Sequence, residues 1–104
     1  MGQNDSTDEL MKPAKLSNED IAEHQRKLGR DWQVIDNHHL EKSYSFRNFR
    51  QALEFTNKIG EIAESENHHP DIFLAWGKVR VTIFTHSVGG LTSLDFELAE
   101  KFDA

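Results

Sequence analysis

Apolar and polar positions alternate along this chain with two periods, and the switch points between them outline its elements. From Asn48 to about Asn67, Phe49, Ala52, Leu53, Thr56, Ile59, Ile62 and Ala63 recur at helical spacing, which predicts an amphipathic helix. Pro70 disfavours a helical conformation at His69, so this helix is expected to end near His68. Between Val79 and His86 the period changes to two: Val79, Val81 and Ile83 alternate with Arg80 and Thr82, the signature of a half-buried strand. Ile72 to Trp76 reads as its hairpin partner, with Gly77-Lys78 as the turn. Upstream, Trp32 to Ile35 and Leu40 to Phe46 read as two further strands around the polar stretch Asp36-Asn37-His38-His39.

Two more helices close the pattern. Ser17 is a suitable N-cap, with Glu19 and Asp20 in a first turn where acids suit the dipole, and Gly29 is a suitable stop. Thr92-Ser-Leu-Asp95 has the spacing of a capping box, followed by Leu94, Leu98, Ala99 and Phe102 on one helix side. The order α-β-β-α-β-β-α with short connections predicts an α+β fold: an antiparallel four-stranded sheet with three helices packed on one face. Phe84 shares strand parity with Arg80, Thr82 and His86, opposite the Val79 face, and is expected to mark a partner surface. Residues 1–15 are polar with little periodicity and read as a flexible leader before one domain, residues 16–104.

Composition narrows the function classes. At 104 residues the chain has room for one modest core. Its net charge of −6 and dispersed basic residues argue against direct nucleic-acid binding. No apolar run approaches the ~20 residues that span a bilayer, so no membrane insertion is expected. The absence of cysteine excludes disulfides and thiolate chemistry, which fits a cytoplasmic protein.

The candidate chemistry lies in histidines. His68-His69-Pro70 follows a helix and His86 ends a strand; imidazole exchanges protons near neutrality better than any other side chain. Glu64, four residues before His68, is expected on the same helix face, an arrangement suited to a proton donor. Three histidines and Asp95 are also a donor set for Zn²⁺. Adjacent histidines on an extended segment point to opposite sides, however, and neither His-x-His nor His-x-x-x-His stands beside them, so a metal-free site is expected. His38, His39 and His24 read as solvated surface residues.

The run Glu64-x-x-x-His68-His69-Pro70, then Trp76, Thr85-His86 and Gly89-Gly90-Leu91-Thr92-x-x-Asp95 resembles the signature of the pterin-4a-carbinolamine dehydratases. Tyr44-x-Phe46-x-x-Phe49 and Lys78-Val79 agree with it, and the likeness runs from about Leu16 to the C-terminus. The resemblance implies dehydration of 4a-hydroxytetrahydropterin to quinonoid dihydropterin without a metal or other cofactor, recycling the pterin of aromatic amino-acid hydroxylases. It implies His68 and His86 as the acid/base pair and His69 as a pterin-orienting residue. Glu64, Pro70, Trp76, Thr85 and Asp95 would join the substrate-binding set, with Asp95 positioning His86 and Trp76 forming pocket wall. It further implies a homodimer or homotetramer. Some members of the family pair with a transcription factor instead, and others are linked to molybdopterin metabolism; both remain alternatives.

Overall fold

The computed structural model describes residues 13–29 and 31–104. The elements run α1 (Asn18–Leu28), β1 (Gln33–Ile35), β2 (His39–Ser45), α2 (Phe49–Glu66), β3 (Asp71–Ala75), β4 (Lys78–Ile83), a 3₁₀ turn (His86–Val88) and α3 (Ser93–Asp103). The sheet order is β1-β2-β4-β3 with every pair antiparallel, so the fold is the expected α+β arrangement. Most of the predicted leader, residues 1–12, lies outside the described residues; next to it, the Leu16 N–H donates to the Leu91 carbonyl (2.8 Å).

Strand alternation decides which face of the sheet is covered. Val79, Val81 and Ile83 are fully buried, in one cluster with Ala52 and Ile59 of α2 and Leu98, Ala99 and Phe102 of α3. Each fully buried branched side chain contributes about 1.5–3 kcal/mol, so this strand face anchors the core. The opposite side chains of the same strands, Arg80, Phe73 and Ser43, stay at least partly exposed. Phe73 lies under the Arg80 guanidinium at 4.7 Å, a cation–π contact on the uncovered face.

The helix ends follow from their caps. Ser17 Oγ accepts from Asp20 N (3.1 Å), and Asn48 Oδ1 accepts from Gln51 N (2.9 Å). At the far end of α2, Asn67 takes a left-handed backbone (φ 54°), and His68 N–H reaches back to the Ala63 carbonyl (3.1 Å). This is a Schellman-type ending, a role for which asparagine is second only to glycine. It turns the chain sharply before His68.

Two connections differ from expectation. β4 stops at Ile83 rather than His86, because only Thr85 still pairs, through an isolated bridge to Gly90, while His86 begins the 3₁₀ turn. The β3–β4 turn is Trp76-Gly77 rather than Gly77-Lys78. Glycine is needed there because a Cβ on Gly77 would sit 2.8 Å from the Phe46 carbonyl oxygen. In the β1–β2 turn Asp36 and Asn37 both have positive φ, and His38 N–H closes onto the Ile35 carbonyl (2.8 Å). Short polar side chains tolerate that left-handed pair.

Candidate active site

Three segments converge at one end of the sheet. The register that pairs Asp71 with Thr82 carries the chain on so that Thr85 and His86 rise beside His68 and His69. The N-terminus of α3 closes the group from the helix side.

At its centre is Asp95, which is fully buried. Its Oδ2 accepts from the Thr92 backbone N–H (2.8 Å), completing the predicted capping box, and from the Thr85 hydroxyl (2.8 Å). Its Oδ1 faces His68 Nε2 at 2.5 Å. Thr85 has one hydroxyl proton and spends it on Asp95, so in the 2.9 Å Thr85–Thr92 contact it is the Thr92 hydroxyl that donates. Thr92 is itself fully buried and accepts from Leu94 N (3.3 Å). A buried carboxylate is tolerated when its lone pairs are filled in this way.

This network sets the tautomer of His68. With Asp95 as acceptor, Nε2 carries the hydrogen, and in the neutral ring Nδ1 keeps its lone pair. No described residue bonds Nδ1, and the His68 side chain keeps 15% exposure. A ring anchored through one nitrogen and accessible at the other can exchange protons with a bound molecule at fixed geometry.

His69 points away from that network. Its Nε2 meets Glu64 Oε2 in a close pair on the surface. Both members are more than half exposed, so the pair orients the ring more than it stabilises the fold. The expected partnership was Glu64 with His68; the Asn67 turn explains the exchange, since the helix ends before His68 can occupy its face. His69, Glu64 and Pro70 border a groove of about 450 Å³ along α2.

His86 stands on the 3₁₀ turn and is exposed. Its ring meets Phe84 edge-on, with centroids 4.2 Å apart, and His38 lies against the same phenyl ring at 4.6 Å. His39 joins through its 3.0 Å contact with His38. The two residues read as solvated therefore form a half-buried aromatic cluster beside His86, and Phe84 is partly covered by it. The large aromatics left exposed on the sheet are Phe73 (48%) and Trp76 (69%).

The resemblance assigned Asp95 to positioning His86; the carboxylate instead bonds His68, and it reaches His86 only through the backbone of Thr85. Trp76 is at the opposite end of β3 from His69, about 20 Å away at strand rise, so within one chain it does not meet the histidines. Thr92, part of the signature and of the predicted capping box, joins the same network through Thr85 and Asp95. Among the described residues, no three His, Asp or Glu side chains are placed to share a metal ion.

The fold and this network define a class: a small α+β domain whose last helix presents a buried aspartate to a histidine at the sheet's end. The chain belongs to the pterin 4 alpha carbinolamine dehydratase family, which matches residues 14–104. It is 49% identical over 88 residues to a provisionally named pterin-4-alpha-carbinolamine dehydratase of Alkaliphilus metalliredigens, covering 85% of this chain and 79% of that one. A protein of the same provisional name from Rubrobacter xylanophilus is 56% identical over 72 residues, covering 69% of this chain and 67% of its own. Among solved structures, a transcriptional coactivator/pterin dehydratase from Brucella melitensis superposes with a TM-score of 0.79 at 34% identity, over 86% of this chain and 96% of that one. A pterin dehydratase-like RuBisCO assembly factor of the alpha-carboxysome shares the fold, with a TM-score of 0.60 at 19% identity, over 73% and 89% of the two chains.

Proposed function

We propose that the protein dehydrates a 4a-hydroxytetrahydropterin to the quinonoid dihydropterin. In this reaction the C4a–O bond breaks as the N5–H proton leaves, and the N5 electron pair forms the C4a=N5 double bond. The departing hydroxyl takes a proton and becomes water, so one acid and one base suffice and no oxidant is consumed. His68, oriented by Asp95, is one of these groups, and His86 is its partner across the substrate. His69, paired with Glu64, orients the ring, and Pro70 and Thr85 shape the site.

The observation that supports this most is the Asp95–His68 pair, because a fixed tautomer with an accessible nitrogen is what acid/base transfer requires. Each such group contributes roughly 10²–10⁴-fold. The product would return to an aromatic amino-acid hydroxylase as its pterin cofactor. The test is purified protein mixed with chemically generated 4a-hydroxytetrahydropterin, with the buffer reaction subtracted. Dehydration well above the buffer rate is expected; a rate equal to buffer overturns the proposal.

A binding role is the second reading. It is favoured by the exposed Phe73 on the edge strand β3 and Trp76 in the turn that follows it, and by the likeness to the Brucella melitensis transcriptional coactivator/pterin dehydratase. The same edge would join copies into a homodimer or homotetramer, which sedimentation at micromolar concentration would detect; a monomer there removes the assembly.

A further inference from the structure

We infer that Phe84 is a positioning residue for His86, its phenyl ring setting the plane in which the imidazole gives or takes a proton. The inference rests on the dehydratase reading and concerns how one of its two acid/base groups is held.

The three site histidines are restrained in different ways. His68 is anchored by Asp95 and His69 by Glu64, each through Nε2. A ring held like that has one nitrogen left for other work. Among the described residues no side-chain hydrogen bond reaches the His86 imidazole, and the residue is exposed. Both of its nitrogens are therefore open, but an exposed ring without a tether changes rotamer on the picosecond to nanosecond scale unless packing stops it.

The backbone at His86 is already fixed. Thr85 N–H donates to the Gly90 carbonyl (2.9 Å), the Thr85 hydroxyl donates to Asp95 (2.8 Å), and Gly89 N–H closes the turn onto the His86 carbonyl (3.2 Å). What freedom remains is in the side-chain torsions of His86. Phe84, two residues earlier, meets the imidazole almost at right angles (81°) with ring centroids 4.2 Å apart. An edge-to-face contact fixes the relative planes of two rings and occupies no nitrogen. It restrains His86 as a carboxylate restrains His68, yet leaves both imidazole nitrogens to the substrate. Side chains that do chemistry need rotamers locked in this way by their neighbours.

Phe84 can hold His86 because it is itself held. It packs partly buried against the core cluster, and the His38 ring lies on it at 4.6 Å. His38 is tied in turn to His39, Nδ1 to Nδ1, at 3.0 Å. The β1–β2 turn thus backs the phenyl ring that His86 meets. The aromatic whose place in the sequence suggested a partner surface has a task within its own chain.

The test measures kcat and KM for chemically generated 4a-hydroxytetrahydropterin, buffer rate subtracted, in two variants. Phe84→Leu keeps an apolar side chain without the ring, and Phe84→Tyr keeps the ring; each is also made in a His86→Ala background. Phe84→Leu should lower kcat by about 10-fold and leave KM within about twofold, since a swivelling imidazole reaches its working orientation only part of the time. Phe84→Tyr should stay within about twofold of wild type in both constants. In the His86→Ala background Phe84→Leu should cost no more than about twofold, because no imidazole is left to hold. Equal losses in the two backgrounds, or equal losses from Leu and Tyr, overturn the inference as general damage to the fold. An undiminished kcat in Phe84→Leu beside an active wild type overturns it alone, whereas an inert wild type overturns the dehydratase reading itself and the inference with it. Nuclear Overhauser contacts between the His86 and Phe84 ring protons give the structural readout. Strong contacts are expected in the folded wild type, and their absence overturns the positioning role whatever the rates.

Discussion

Two aspartates on α3, about 12 Å apart along the helix, accept the same number of side-chain and backbone donors and put them to opposite uses. Asp103, near the C-terminus, takes Lys42 Nζ (3.0 Å) and the Tyr44 hydroxyl (2.7 Å) on Oδ1 and Trp32 Nε1 (2.8 Å) on Oδ2. Asp95, at the N-terminus, takes Thr85, Thr92 and His68. The indole and phenol have no second proton to offer, and the ammonium lies over the Tyr44 ring at 4.7 Å. That cluster fastens α3 to β2. Around Asp95 one donor is an imidazole, whose second nitrogen leads out of the network. The difference between the clamp and the proposed reactive centre is thus the identity of one partner, since the number of bonds and the helix are the same.

The largest effect expected from breaking the comparison is on Asp95. Asp95→Ala removes the acceptor of a buried hydroxyl, a buried N–H and His68 together, and should cost about 3 kcal/mol or more in chemical denaturation. A loss below about 1 kcal/mol would mean that the network is not held in solution as it is in the structure.

Asp103→Asn should cost less, about 1–2 kcal/mol, because the carboxylate is partly exposed and solvent screens its contacts. Burial raises the Asp103 pKa, but the hydrogen bonds from Tyr44, Lys42 and Trp32 together outweigh it, leaving the carboxyl below its ordinary value. A depressed folded-state pKa gives stability that is present above the unfolded value, near 4, and lost as pH falls through the folded one. Asp103→Asn should therefore flatten the acid limb of the stability curve below about pH 4. An unaltered acid limb would remove Asp103 from that account.

Tyr44 gives the alkaline counterpart. Burial, then the hydrogen bond to and charge of Asp103, hold its phenol far above the ordinary tyrosine range. A raised folded-state pKa gives stability that is complete below the unfolded value of about 10 and lost as pH climbs beyond it. Tyr44 is the single tyrosine, so near-ultraviolet absorbance reports it alone. Phenolate should appear only as the protein unfolds; a reversible titration near pH 10 in folded protein would break the clamp. The smallest effect belongs to His38→Ala, which removes one ring from Phe84 and should cost under about 1 kcal/mol in denaturation.

The clamp and the centre were unequally legible in the sequence. Local patterns carried the capping box at Thr92–Asp95, the α2 stripe and the β4 alternation, because each is a relation between residues a few positions apart. The Asp95–His68 bond joins residues 27 apart, and nothing local tells which histidine a capping aspartate will also meet. The exchange of Glu64 from His68 to His69 turned on one left-handed residue, Asn67, whose conformation decides where the helix face ends. His38 and His39 looked solvated because a polar turn is usually exposed; their packing on Phe84 depends on strand register, which a single sequence leaves open. The Asp103 clamp was missed altogether, since its three donors come from positions 32, 42 and 44 and share no motif with it.

The most direct test of the division between clamp and centre is the turnover of His68→Ala beside that of Asp103→Asn. Both should be assayed folded and at one temperature, against chemically generated 4a-hydroxytetrahydropterin with the buffer rate subtracted. His68→Ala should lose about 10²-fold or more, the scale of a positioned acid/base group, while Asp103→Asn should stay within about twofold of wild type once folding is corrected for. Near-wild-type turnover in folded His68→Ala, or an equal loss in both variants, would contradict the assignment of the reaction to the Asp95–His68 pair.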